Sequence, residues 1–250
     1  MRLIIDFGNT FSKVALYKNN KELAIESFRD LTLISLKAFI DEYFLKHDIS
    51  KGINCCIVSS VVNYPAEIRN YLQSNFMFIE LGSNTHLPIE IGYKTPGTLG
   101  NDRVAAVVAG NSIFPEKDIL IIDAGTCITY DFLNKKGKYL GGSISPGFNL
   151  RFKALNNYTG NLPLISNFGK KAELIGNSTA NSIKSGVVNG VKAEVDGIIN
   201  SYLQKYPGIK IIFTGGDINY FDTTTKNNIF AVANLVLKGL NIILDYNVKN

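Results

Sequence analysis

The chain has 250 residues, 46% of them hydrophobic and 19% charged, enough to bury a substantial core in one large domain or two smaller ones. Its formal net charge of +5 comes from 26 basic against 21 acidic residues, and the lysines are scattered, which argues against a nucleic-acid surface. Three cysteines (Cys55, Cys56 and Cys127) supply neither a disulfide framework nor a spaced metal quartet.

From the beginning of the chain, Met1-Arg2-Leu3-Ile4-Ile5-Asp6 breaks its apolar run at an aspartate and does not read as a signal peptide. No later apolar run is long enough to span a bilayer, so the expectation is a soluble cytoplasmic protein with no membrane partner. The first strand ends in Asp6-Phe7-Gly8-Asn9-Thr10, and strands at 13–17 and 22–28 flank a polar turn at 18–21. Apolar residues at helical spacing follow at 31–47 and 66–74, with strands at 54–59 and 76–81. Cys55 and Cys56 lie side by side in the strand at 54–59, where alternation points them to opposite faces.

A shaped loop, Tyr93-Lys94-Thr95-Pro96-Gly97-Thr98-Leu99-Gly100-Asn101-Asp102-Arg103, opens a helix at 102–111. A boundary is expected near 113–117, around Pro115, dividing the chain into 1–114 and 115–250. The opening design is then written again. A strand at 120–122 ends in Asp123-Ala124-Gly125-Thr126, and strands at 127–133 and 139–145 flank a turn at 134–138. A helix at 148–156 precedes an irregular stretch at 157–171. Thr179–Lys205 reads as one long helix or a pair, 209–214 as a strand running into Gly215-Gly216-Asp217, and 234–246 as a final helix. Hairpins followed by alternating helices and strands, twice over, predict two α/β domains.

Asp-x-Gly at a strand end has two readings. The glycine lets a backbone approach a ligand and the aspartate can hold a hydrated cation, or the pair is a turn glycine beside a capping carboxylate. Its repetition at Asp6 and Asp123 favours the first. Backbone N–H groups and hydroxyls from Asn9, Thr10, Ser12 and Thr126 would then form a two-sided cradle for a triphosphate. Paired Gly215 and Gly216 would let a purine lie flat against backbone. Neither a P-loop nor a Rossmann glycine pattern occurs, and His47 and His86 give histidine-based chemistry little to work with. Asp102 either caps the helix it opens or takes the proton of an attacking hydroxyl, with Arg103 anchoring an anionic group. Phosphoryl transfer asks a protein mainly to position and neutralise, with one carboxylate aiming the nucleophile.

Asp6-Phe7-Gly8-Asn9-Thr10 with Lys13, Gly100-Asn101-Asp102-Arg103 and Asp123-Ala124-Gly125-Thr126 resemble the motifs of the type III pantothenate kinases. So do residues 141–147, Leu162-Pro163, Gly176-Asn177-Ser178-Thr179, Thr214-Gly215-Gly216-Asp217 and residues 234–240, in order along nearly the whole chain. Cys127, Asn101 and Val232-Ala233 depart from the usual pattern. The resemblance implies a duplicated actin-like ATPase fold with a nucleotide cleft, and a homodimer. It implies phosphorylation of pantothenate by ATP with Mg²⁺, the first step of coenzyme A synthesis, with a requirement for a monovalent cation, K⁺ or NH₄⁺. ATP would be held by Asp6, Phe7, Gly8, Asn9, Thr10, Phe11, Ser12, Lys13 and Thr126, with Asp6 near hydrated Mg²⁺ and Asp123 on the monovalent cation. Pantothenate would meet Tyr93, Gly100, Asn101, Asp102, Arg103 and Thr179, with Asp102 as the base. Two alternatives remain open: another small-molecule kinase of this fold, and a non-catalytic regulatory relative.

Overall fold

The computed structural model describes residues 1–48, 52–221 and 229–249. The chain divides into two compact units, Met1–Ile113 with Asn234–Asn250, and Phe114–Ala233. The first unit contains β1 (Arg2–Phe7), β2 (Ser12–Lys18), β3 (Lys21–Phe28), α1 (Leu33–His47), β4 (Cys55–Ser60), α2 (Ala66–Asn75), β5 (Met77–Glu80), β6 (Glu90–Ile91) and α3 (Asn101–Ile113). The second contains β7 (Ile119–Ala124), β8 (Cys127–Leu133), β9 (Lys138–Pro146), α4 (Phe148–Asn157), α5 (Thr179–Lys205), β10 (Lys210–Thr214) and β11 (Ile229–Ala231). The last helix, α6 (Leu235–Lys249), belongs to the first unit.

In the first unit the strands run in the order β3-β2-β1-β4-β5. β1, β2 and β3 form antiparallel hairpins, while β4 and then β5 add in parallel on the other side of β1. Leu3, Ile4 and Ile5 are all fully buried, as befits a central strand covered on both faces. One face packs Leu3, Ile5, Cys56 and Val58 against Leu36 and Phe39 of α1 and Leu72 of α2. The other packs Ile4, Cys55 and Ile57 against Ala105 of α3 and Leu237, Leu240 and Leu244 of α6. The neighbouring thiols therefore do point to opposite sides. Thr32 and Ser35 make a reciprocal capping box that starts α1.

α6 reaches the first unit through close packing on α3. A Cβ on Gly239 would lie 1.8 Å from the Ala105 carbonyl oxygen, so glycine is what lets the two backbones approach. The expected division at 114/115 grouped this helix with the second half. Helical periodicity shows that one face is apolar and leaves its partner unspecified.

The second unit's own strands run β9-β8-β7-β10-β11, with antiparallel hairpins on one side of β7 and parallel additions on the other. The plan of the first unit is repeated strand for strand, and Asp6 and Asp123 occupy the same penultimate position of the central strand in each. α5 is one continuous helix of 27 residues. Ser178 caps it by accepting the Asn181 N–H at 3.2 Å, and its Ile183, Val187, Val191, Val195 and Ile199 enter the core with Leu120 and Ile122. Among the described residues, no helix is long and apolar enough to cross a membrane.

Candidate active site

In the first unit, β1 carries Asp6 to the sheet's C-terminal edge, where register fixes its neighbours. Lys13 lies opposite on β2, and Ser59 opposite on β4. Phe7 turns into the core and stacks on Tyr64 with ring centroids 4.4 Å apart, which anchors the strand end. The Gly8 N–H donates to the Phe11 carbonyl at 3.2 Å and closes a tight hairpin, leaving Asn9, Thr10 and Phe11 exposed. A Cβ on Gly8 would sit 2.9 Å from that carbonyl oxygen. Ser12 is buried where β2 begins.

Asp6 is the electrostatic centre of this cluster. Its Oδ1 is fully enclosed without a hydrogen-bond partner among the described residues. Burial, foremost, pushes its carboxyl up to about 6, and the charge of Asp102 adds to the rise, while the Ser59 hydroxyl and Lys13 pull the other way. The charge of Asp102, in the first turn of α3, thus acts on Asp6. Within that turn Asp102 Oδ1 accepts the Arg103 N–H at 2.8 Å, and Oδ2 has no partner among the described residues. A Cβ on Gly100 would lie 2.5 Å from Asp102 Oδ1, so this glycine makes room for the carboxylate. The Asn101 side chain ties the loop down by donating to the Leu81 carbonyl at 2.8 Å. Buried Arg103 holds its guanidinium 5.9 Å from the ring centre of Tyr93. A polar cavity of about 720 Å³ adjoins this loop, with Ser60, Asn63, Ser83, Thr98, Gly100 and Asn101 on its walls.

In the second unit, the Gly125 N–H donates to the Cys127 carbonyl at 2.9 Å, closing the hairpin equivalent to that at Gly8. Asp123 faces Thr129 and Thr214 in register. The Gly147 N–H donates to the Thr126 carbonyl at 3.0 Å, and a Cβ on Gly147 would lie 2.1 Å from the Gly125 carbonyl oxygen. Gly215, at φ +99°, presses on the same loop: a Cβ there would lie 2.1 Å from the Ala124 carbonyl oxygen and 2.5 Å from Asp123 Oδ1. Asp123, Gly125, Thr126, Gly147 and Gly215 therefore form one cluster. Thr179 stands elsewhere in this unit, at the opening of α5, on an open cavity of about 640 Å³ shared with Arg151, Leu155, Leu162 and Ile183.

Residues 2–201 match the family described as type III pantothenate kinase. Relatives of that name from Christiangramia forsetii and Bacteroides fragilis are each 43% identical, over 248 and 250 residues, covering 98–99% of both chains. The chain belongs to the type III pantothenate kinase family. A Campylobacter jejuni structure described as a Baf family transcriptional activator superposes with a TM-score of 0.62 at 20% identity, over 99% of this chain and 100% of that one. An activator of 2-hydroxyisocaproyl-CoA dehydratase from Clostridium difficile, with bound ADPNP, gives 0.56 at 15% over 99% and 95%. At these identities the likeness concerns the fold, which is the duplicated actin-like ATPase fold.

Several side-chain pairings of this type III pantothenate kinase family member depend on register and long-range packing that the sequence does not display. Ser59 is set against Asp6 by parallel register, and the equivalent pairing sets Thr214 against Asp123. A hydroxyl at the end of each fourth strand was a visible signal once the duplication was recognised. Arg151 is held by Glu194, which also accepts from Tyr130 at 3.0 Å and Ser145 at 2.5 Å. Burial alone would raise the Glu194 carboxyl, but these bonds outweigh it and hold it below the ordinary range.

Proposed function

We propose that this chain transfers the γ-phosphoryl group of ATP to the primary hydroxyl of pantothenate, giving 4′-phosphopantothenate and ADP, the first step of coenzyme A synthesis. The observation that carries the reading is the enclosed, unpartnered Asp6 oxygen at one edge of the first unit's sheet, with Lys13 opposite in register and the charge of Asp102 acting on it. Asp102 Oδ2 accepts the hydroxyl proton as the oxygen attacks phosphorus in line and ADP leaves from the opposite side. Arg103 and Tyr93 hold the substrate carboxylate end, a planar guanidinium suiting a carboxylate.

Residues 6–13 are the ATP ligands proposed on the first unit, and Thr126, Gly215 and Gly216 those proposed on the second. The enclosed, unpartnered Oδ1 of Asp6 fits a hydrated divalent cation, since a buried carboxylate oxygen needs a compensating charge or donor. Mg²⁺ held there would neutralise charge on the phosphates. Asp123, backed by the Thr214 strand end, would hold K⁺ or NH₄⁺. The active form is a homodimer, supported by the exposed Tyr158, Leu174 and Ile175 near α4 and α5. In it Thr179 contacts pantothenate.

A coupled assay of ADP release, with and without pantothenate and in sodium or potassium buffer, tests the reading. Pantothenate-dependent turnover that rises with potassium is expected. Asp102→Asn should lower kcat at least ~100-fold, the scale of one lost general base, with the folded state unchanged by circular dichroism. Near wild-type turnover in that variant would remove Asp102 from the role of base, and a sugar preferred over pantothenate would remove the substrate assignment.

A further inference from the structure

Asp217 has no task in the reaction described so far, and its surroundings are unusual for a carboxylate. It follows the Gly215-Gly216 turn and opens a short 3-10 helix at Ile218–Tyr220, yet its side chain makes no capping bond to that helix. Its carboxylate has no hydrogen-bond or ion-pair partner among the described residues. It is half-buried, and burial raises its carboxyl above the ordinary range. An anion partly stripped of water and left uncompensated lowers stability, so its retention calls for a partner that arrives from outside.

Its location says what kind of partner. The Asp217 N–H donates to the Ala124 carbonyl at 2.9 Å, and Gly215 lies against Ala124 and Asp123, so the turn is locked onto the loop of Asp123 and Thr126. Gly216 is different: a Cβ built on it would meet nothing within 4 Å. Its backbone borders open space, immediately before the uncompensated carboxylate. An open peptide surface suits a flat ring, while a carboxylate repels phosphate and accepts readily from hydroxyl groups. Vicinal hydroxyls are what a nucleoside offers between its base and its phosphates. A carboxylate that accepts from ribose hydroxyls is a recurring device of nucleotide sites built on other folds.

We propose that Asp217 is a nucleotide-specificity residue that accepts hydrogen bonds from the ribose 2′- and 3′-hydroxyls of ATP, with the adenine lying over Gly216. The proposal rests on the assignment of ATP to the loop of Asp123 and Thr126, and deepens it by assigning the sugar.

The test compares ATP with 2′-deoxy-ATP and 3′-deoxy-ATP as phosphoryl donors, in wild type, Asp217→Asn and Asp217→Ala. Hydrogen bonds to a charged acceptor are worth about 10- to 100-fold in affinity. Wild type should therefore prefer ATP by roughly that factor in KM. Both variants should raise the KM for ATP about as much, abolish the preference, and leave kcat and the KM for pantothenate within ~2-fold. A purely structural role predicts a loss of thermal stability. Removal of an uncompensated charge predicts variants at least as stable as wild type, and differential scanning fluorimetry separates the two. Wild type indifferent to the missing hydroxyls, or variants that keep the preference, would overturn the proposal. So would a changed requirement for potassium with an unchanged KM for ATP, which would hand Asp217 to the cation. Failure of wild type to phosphorylate pantothenate with ATP would instead sink the kinase reading, so the two failures are distinguishable.

Discussion

At Asp6, folding and chemistry make opposite demands. Its enclosed Oδ1 lacks a donor, and the carboxyl is raised from an ordinary 3.8 to about 6, chiefly by burial. A carboxyl whose folded pKa exceeds its unfolded one binds protons more tightly in the native state. Its contribution is therefore complete below about pH 4, and stability falls as pH rises through about 6. A shift of this size corresponds to roughly 2–3 kcal/mol at neutral pH. Glu194 and Asp245, each held below its usual range, act in the opposite direction, so the effect must be read as a difference. Without nucleotide or divalent cation, Asp6→Asn should be more stable than wild type above pH 6, the gap closing toward pH 4. Urea titrations at several pH values check this, and a gap that does not vary with pH would refute the account. On the proposed role of Asp6, added Mg²⁺ and ATP should stabilise wild type clearly more than the variant, which keeps the other ATP contacts and loses the carboxylate.

Among elements, the contact between α3 and α6 carries the most information about how the site is held. α3 buries Arg103, Val104, Ala105, Ala106, Val107, Val108, Ala109 and Gly110 in succession, so it is enclosed on nearly all sides, and its first turn presents Asp102. Gly239 of α6 faces the Ala105 carbonyl carbon, to which a Cβ would come within 2.4 Å, and backbone cannot rotate away as a flexible side chain can. Gly239→Ala should destabilise by about 1–3 kcal/mol, lowering Tm by roughly 2–12 °C. Because α3 shifts with its packing partner, kcat should fall several-fold even where the protein remains folded. Thermal melts beside steady-state kinetics check both, and unchanged values would mean that α6 yields without disturbing α3. This packing also marks where sequence ceased to be informative. The paired hairpins were legible because period-two alternation, polar turns and Asp-x-Gly are local patterns. The home of α6 depends on one close approach between residues far apart in the chain. Ser59 beside Asp6 depends on parallel register, and the two-residue β6 and three-residue β11 are too short to show a period. α5, expected as one helix or a pair, is held as one by its run of buried Val and Ile side chains.

For the whole molecule, the duplication explains why two aspartates occupy equivalent strand ends. It does not by itself account for the apolar side chains exposed on the second unit. Single exposed hydrophobics are ordinary, but Tyr158, Leu174 and Ile175 are 87%, 83% and 84% exposed within one short stretch of chain. That stretch is fastened to α5, since Ser185 donates to the Leu174 carbonyl at 2.7 Å and Ser182 to the Gly176 carbonyl at 3.2 Å. Rigid support under exposed apolar groups suits a surface made to be covered. In the proposed homodimer these residues meet a second copy, so Ile175→Glu together with Leu174→Glu should convert dimer to monomer at micromolar concentration. Sedimentation velocity reads the mass directly. Thr179 opens the helix these residues flank, and the pantothenate contact proposed for it predicts a functional consequence as well. The monomeric variant should keep wild-type affinity for ATP, measured by calorimetry, while its KM for pantothenate rises at least ~10-fold, the scale of a lost hydrogen-bonding and packing contact. A monomer with unchanged pantothenate kinetics would separate Thr179 from the partner's site, and a wild type that sediments as a monomer would leave the exposed patch to some other ligand.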